Sequence, residues 1–264
     1  MKEWMLACAL VAAGCNAPDT GDAPAPTAGD TSTDRLVFKM VTKEHTLDEC
    51  VAGSEGCTYV RLDYPVLVDA PEGYAVSAVT DAVFSSVTAS WDEEDFFPSV
   101  AALMTGFIDD YRALTRAMPG YEHPWFLERK VFVLHNTSDA LSLSLSERMF
   151  TGGAHGSATV TFQNLDPRTG TEILLSDLLI DDYEVALLPL AEARFREVRS
   201  IEDGMSLADA GFAFDNDVFS LTDNFSIGED GLTFYYNPYD VAAYALGPTE
   251  ISLRYDELDD LLKE

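Results

Sequence analysis

Positive charge is what this sequence has least of. Its 264 residues carry 16 Lys and Arg against 46 Asp and Glu, a formal net charge of −30. A surface of that sign repels nucleic acid and anionic lipid headgroups and attracts cations and cationic proteins. No basic patch or aromatic–basic interleaving stands out, so nucleic-acid binding is not expected. A solubilising role in a salty or exposed compartment accounts for the charge equally well. Long apolar runs are missing too. The stretch from Trp4 to Ala13 is too short to span a bilayer. There is no P-loop, dinucleotide fingerprint, zinc-protease motif or nucleophile elbow, and no cofactor or metal is expected. Glycosidase carboxylates stay open, because 46 acids offer many pairs and sequence spacing does not give their separation.

Cysteine is scarce, with four in the chain, and each has a different context. Residues 1–15, MKEWMLACALVAAGC, read as an export signal with Lys2 as its positive end. The signal ends in Ala12-Ala13-Gly14-Cys15, which resembles a bacterial lipobox. That resemblance implies cleavage before Cys15, diacylglycerol on its thiol and a lipid-anchored place in the cell envelope, facing periplasm or cell surface. An ordinary cleaved signal with an incidental Cys15 is the alternative. Residues 16–34 hold no large apolar side chain and three prolines. Such a stretch cannot bury enough surface to offset its ordering entropy and reads as a flexible linker. Cys50 and Cys57 remain, in a loop rich in Gly, Ser and Glu. In an exported protein they are most simply a disulfide. A metal site with His45 is the sharper alternative, although the spacing matches no zinc motif.

The rest of the chain alternates between two periods. Arg35–Val41 and Thr58–Val68 read as strands. Val76, Val79, Val83 and Val87 fall on one helical face, and Phe97, Val100, Met104, Phe107, Tyr111, Leu114 and Met118 on another. The acidic run Asp92–Asp95 joins them as a helix start. Phe126–Thr137, Ala140–Phe150 and Ser157–Leu165 alternate as neighbouring antiparallel strands. Leu174–Leu179 and Tyr183–Ser200 read as helix, with Pro189 as a kink or break. Met205–Asp217 is ambiguous. Asn224–Gly228 and Leu232–Tyr236 flank a hairpin signal, Thr249–Tyr255 is a last strand, and Glu257–Leu262 a short helix. The pattern implies an α+β fold, an antiparallel sheet with helices packed on one face.

Two segments stand out from that background. Phe150-Thr-Gly-Gly-Ala-His-Gly156 sets three glycines around one histidine directly after a strand. Glycines permit positive φ and close backbone approach, so Gly152 and Gly153 can aim the His155 side chain or expose amides. Equally, His155 can simply hold a sharp connection together. Downstream, Tyr235, Tyr236, Tyr239 and Tyr244 cluster around Pro238 and Gly247-Pro248. Tyrosine joins apolar area to a polar tip and suits carbohydrate and protein contacts, or the packed end of a sheet. The acidic groups Asp181-Asp182, Asp215–Asp217 and Asp223-Asn224 lack EF-hand spacing.

Together the two segments resemble the domain that forms the extracellular part of RsiV, the lysozyme-sensing anti-sigma-V factor, which also occurs in bacterial lipoproteins. Leu62-Asp-Tyr-Pro65 with Val66-Leu-Val68 resembles the domain that precedes the catalytic part of the peptidoglycan deacetylase PdaC. The resemblance implies a PdaC-like α+β region at 35–148 and an RsiV-like region at 149–264. It implies an envelope lipoprotein that binds something: a cationic envelope-active protein such as lysozyme, or peptidoglycan. Sigma-factor regulation does not carry over with it. Ala243 stands where the family commonly has Pro, and Phe150 where Tyr is frequent. The candidate binding residues are Gly152, Gly153, His155, Tyr236, Tyr239 and Tyr244. An envelope hydrolase using His155 or acidic residues is the alternative.

Overall fold

The computed structural model describes residues 34–91 and 96–263. Residues 1–33, on which the expected export signal, Cys15 and the expected linker fall, and the acidic run 92–95 lie outside the described residues. Residues 34–263 fall within one unit by backbone contacts. The fold is α+β. Five strands form one sheet in the order β1 (Val37–Thr46), β2 (Tyr59–Asp69), β3 (Phe126–Asn136), β4 (Leu141–Phe150) and β5 (Ser157–Leu165). Three more, β6 (Phe225–Ile227), β7 (Gly231–Tyr236) and β8 (Thr249–Arg254), form a second. Position 148/149 falls inside β4, and β4 and β5 pair from Leu141↔Leu165 to Met149↔Ser157.

One pairing departs from the antiparallel expectation: β2 runs parallel to β3, with Val60 opposite Leu127. The connection between them explains it. Parallel neighbours need a crossover of a dozen or more residues. Here that crossover holds α1 (Val76–Thr88) and α2 (Val100–Ala117), the two expected helices. Ser99 caps α2 by accepting from the Ala102 amide at 3.0 Å, satisfying one of the helix's orphan donors. Leu103, Met104, Phe107, Ile108 and Tyr111 then form its buried face. They pack with Val79, Val83 and Val87 of α1 against Val60, Leu62, Leu127 and Val131 of the sheet. Both helices therefore cover the same face.

A charge is buried in this core. Arg129 on β3 is 2% exposed. Its guanidinium donates to Glu147 at 2.6 Å and to the carbonyls of Val87 at 2.8 Å and Ala89 at 2.5 Å. It thereby satisfies the C-terminal end of α1, where helix carbonyls lack internal partners.

The second core forms between α4 (Glu184–Val198) and the three-stranded sheet. Leu187, Ala191 and Phe195 sit four residues apart and face Leu232, Phe234, Ile251 and Leu253. The helix runs through Pro189 without ending. The ambiguous segment 205–217 forms no long element. It instead supplies Phe212 and Phe214, whose rings meet Phe195 edge-on at 4.9 and 5.4 Å. The expected helix at Glu257–Leu262 does not form: a 3-10 turn, Tyr255–Glu257, ends where it is expected to begin, and irregular turns follow. A one-turn helix, α3 (Leu175–Leu178), precedes α4.

Asparagine side chains join the two sheets. β5 is an edge strand, and its outward amides have no strand to pair with. Asn237 Oδ1 accepts from the Val160 amide at 2.7 Å, and Asn224 Oδ1 from the Phe162 amide at 2.8 Å. Asn224 Nδ2 donates to the carbonyls of Val160 and Tyr235. The two side chains stand in for a missing strand and fix the end of β7 beside the end of the large sheet.

Cys50 and Cys57 are joined as a disulfide with their Cα atoms 5.7 Å apart. No thiolate pair is left for a metal site with His45. Closing so short a loop contributes about 2.5 kcal/mol in the chain-entropy treatment.

Candidate functional site

The glycine-rich turn follows β4 directly. Gly152 and Gly153 take φ of 105° and 102°, a region that side-chain-bearing residues avoid. Gly152 is also sterically pinned. A Cβ there would lie 2.5 Å from the hydroxyl of Tyr121, which accepts a hydrogen bond from Trp125 Nε1 at 3.0 Å. The turn thus rests on the aromatic end of the first core.

That anchoring leaves His155 exposed and aimed at the tyrosines. Its Nδ1 lies 2.9 Å from the carbonyl oxygen of Gly156. A carbonyl only accepts, so Nδ1 carries the proton. In the neutral ring Nε2 is then an acceptor, and it meets the Tyr239 hydroxyl at 3.2 Å. The imidazole lies flat on the Tyr244 ring, centroids 4.2 Å apart and planes 17° apart. Tyr239 and Tyr244 complete the group at 5.6 Å.

Tyr239 holds its position in a costly conformation. It is 63% exposed. Its φ is 77°, an outlier for a bulky side chain. Such backbone costs about 1–3 kcal/mol and persists only where surroundings impose it. Here the turn is closed by the Asn237 amide donating to Asp240 Oδ2 at 2.6 Å and the Asp240 amide donating to Asn237 O at 3.1 Å. Tyr244 begins a 3-10 turn, Tyr244–Leu246. Arg199 from the end of α4 donates to Leu246 O at 2.8 Å and Pro248 O at 3.3 Å, holding that turn in place. Ala243, where proline is common in the resembling family, has a φ of -61°. A proline ring would fix a similar angle.

The structure therefore brings together Gly152, Gly153, His155, Tyr239 and Tyr244, from two segments 84 residues apart at the His155–Tyr239 contact. It separates Tyr236 from them. The alternation of β7 points Tyr236 into the second core. There it is 2% exposed, meets the Phe195 ring edge-on at 5.5 Å and donates to Ser220 O at 2.8 Å. Burial pushes its hydroxyl pKa above the ordinary tyrosine value. Tyr236 is a core residue and not part of the exposed cluster.

Tyr121, Arg199, Asn224 and Asn237 position this site, and none carries a sequence signal for that role. Each acts through a contact with a distant backbone atom or turn. The acidic groups have local tasks: Asp217 accepts from the Ala208 amide at 2.7 Å. Among the described residues no three His, Cys, Asp or Glu side chains converge as a metal site would require. No helix among the described residues is long and apolar enough to cross a membrane.

Comparison with known proteins places part of this chain. Residues 176–256 match the model of the family described as protein of unknown function (DUF3298). That stretch contains α4, the second sheet and the Tyr239–Tyr244 loop. Two crystal structures share the fold, each with a TM-score of 0.66 and 21% identity over 87% of this chain. One is a DUF3298 family member from Bacteroides fragilis NCTC 9343, of which 94% is covered, and the other a DUF3298 family protein from Pseudomonas aeruginosa PAO1, of which 95% is covered. A stretch of 134 residues is 28% identical to the peptidoglycan-N-acetylmuramic acid deacetylase PdaC of Bacillus subtilis (strain 168). The match takes in 50% of this chain and 28% of that enzyme's length.

Proposed function

We propose that this protein is a cell-envelope binding module, lipid-anchored through Cys15, whose His155–Tyr239–Tyr244 cluster holds a sugar of peptidoglycan. The observation that carries this reading is the exposed ring stack itself. A pyranose offers flat C–H faces that pack on aromatic rings, and its hydroxyls match the polar tips of tyrosine and histidine. The likeness to a peptidoglycan-modifying enzyme supports the choice of polymer. Binding is favoured over hydrolysis by the partners of His155. They are a backbone carbonyl and a tyrosine hydroxyl, with no carboxylate or nucleophile completing a catalytic set among the described contacts.

The test is calorimetric titration of the full-length chain with purified disaccharide muropeptides. Tyr239→Ala and His155→Ala should each weaken binding about tenfold, the worth of one stacked ring. Unchanged affinity in both variants would refute the assignment.

A second reading rests on the net charge of −30. Such a chain attracts a cationic envelope-active protein such as lysozyme, and the RsiV resemblance points the same way. Attraction of that kind is screened by salt, with a Debye length of about 8 Å at physiological ionic strength. Surface plasmon resonance against lysozyme, with polylysine as control, separates the cases. A slow dissociation phase that survives physiological salt and is absent with polylysine supports a specific interface.

A further inference from the structure

A cleft of about 370 Å³ opens where β5, β6 and the α3–α4 segment meet, away from the glycine-rich turn. Its deeper lining is apolar, with Phe162, Ile173, Leu175 and Phe225. Asn164 also faces it but is already committed: Oδ1 accepts from the Ile227 amide at 3.0 Å and Nδ2 donates to Phe225 O at 2.8 Å. Two exposed carboxylates, Glu172 and Asp223, also line it, together with Tyr183, Leu174 and Ser176.

These acids lack the partners that others on this chain have. The arginines nearest in sequence face elsewhere: Arg168 meets Asp34 at 3.3 Å, Arg194 meets Glu257 at 2.7 Å and Arg196 meets Glu192 at 2.9 Å. Among the described residues no basic group forms an ion pair with either Glu172 or Asp223. The basic group that touches the lining is Lys263, whose ammonium donates to Ser176 O at 2.6 Å, so one positive charge stands against the two carboxylates and the lining stays net negative. The pKa of Tyr183 is raised, first by burial and then by the charges of Glu184 and Asp223.

We infer that this cleft binds a primary alkylammonium group of the lysyl side-chain type, its hydrocarbon stem along Phe162 and Phe225 and its ammonium between Glu172 and Asp223. The chemistry selects this class over its competitors. An anion is repelled by both carboxylates. A purely apolar ligand would take water from them and give no partner in return. Calcium and magnesium take six or more oxygens and zinc at least three protein ligands, and no group of three ligating side chains exists among the described residues. An ammonium on an aliphatic stem answers both halves of the lining, and such side chains lay their stems on apolar surface with the charge at its edge. Aromatic faces add a cation–π attraction.

The experiment titrates the isotopically labelled full-length chain with Nα-acetyl-lysine methylamide, followed by amide chemical shifts. Saturable shifts are expected at Phe162, Tyr183 and Phe225. The norleucine analogue, which keeps the stem and lacks the charge, should bind at least tenfold more weakly. Glu172→Gln with Asp223→Asn should weaken the lysine probe by about tenfold, as two exposed charge contacts are together worth. Both side chains are exposed, so an unchanged spectrum elsewhere certifies the fold of the double variant. Tyr239→Ala should leave this titration unaltered, which keeps the cleft distinct from the ring cluster. Equal binding of the norleucine analogue, wild-type affinity in the double variant, or unsaturable shifts scattered over the acidic surface would each overturn the assignment.

Discussion

The imidazole of His155 lies face to face with the phenol ring of Tyr244, 4.2 Å between centroids, although 89 positions separate them in sequence, as 244 minus 155. An aromatic pair of this kind is worth about 0.5–1.5 kcal/mol. Tyr244→Ala should therefore cost about that amount in stability plus the loss of the half-buried tyrosine's own packing. Its larger effect is local. The His155 ring proton shifts should move toward free-histidine values in the NMR spectrum. Unchanged shifts would mean that the two rings do not stack in solution.

Gly152 and Tyr121 form a second such relation. Gly152→Ala combines a positive φ with a Cβ placed 2.5 Å from the Tyr121 hydroxyl. A destabilisation above about 1 kcal/mol is expected in urea unfolding. Tyr121→Phe removes the obstructing oxygen and also the acceptor of Trp125 Nε1. The double variant should then be more stable than the sum of the single effects predicts. Strict additivity would show that the hydroxyl is not the obstacle.

Arg129, the charge buried in the first core, is a costly position to change. Arg129→Met would leave Glu147 without its partner and strand the carbonyls of Val87 and Ala89. Breaking a buried pair from one side costs about 3–5 kcal/mol. Arg129→Met with Glu147→Leu should recover part of that loss, because no unpaired charge remains. Denaturant midpoints of the two variants decide the matter.

Asp166 gives a pH signature. Burial pushes its pKa up, but hydrogen bonds from the Arg168 amide and from the Thr169 hydroxyl and amide, with the Arg168 charge, outweigh it and hold the carboxyl below its ordinary value. A depressed folded-state pKa contributes stability that is present above the unfolded value near 3.8 and is lost as pH falls through the folded value. Asp166→Asn should flatten the decline of melting temperature below about pH 4 relative to the native chain. Parallel acid profiles for the two proteins would exclude that role.

Local pattern was enough to place most of the individual elements. The period-two runs became β3, β4 and β5 within a residue or two of their expected ends, and the two apolar helical faces became α1 and α2. The glycines at 152 and 153 announced a positive-φ turn, and they have one. Periodicity fixes which side chains share a face, because side-chain direction follows from local backbone geometry. It does not say what that face meets. That β2 runs parallel to β3, that the strands divide into two sheets and that Arg129 enters the first core are set by long-range packing. The tyrosines show the division most clearly. Tyr236, Tyr239 and Tyr244 look alike in sequence, but the pleat of β7 turns Tyr236 inward, while the Asn237–Asp240 turn and the Arg199-held loop carry the other two to His155. Those placements depend on side-chain bonds to distant backbone atoms, from Asn237 to Val160 and from Arg199 to Leu246, and no local pattern encodes them.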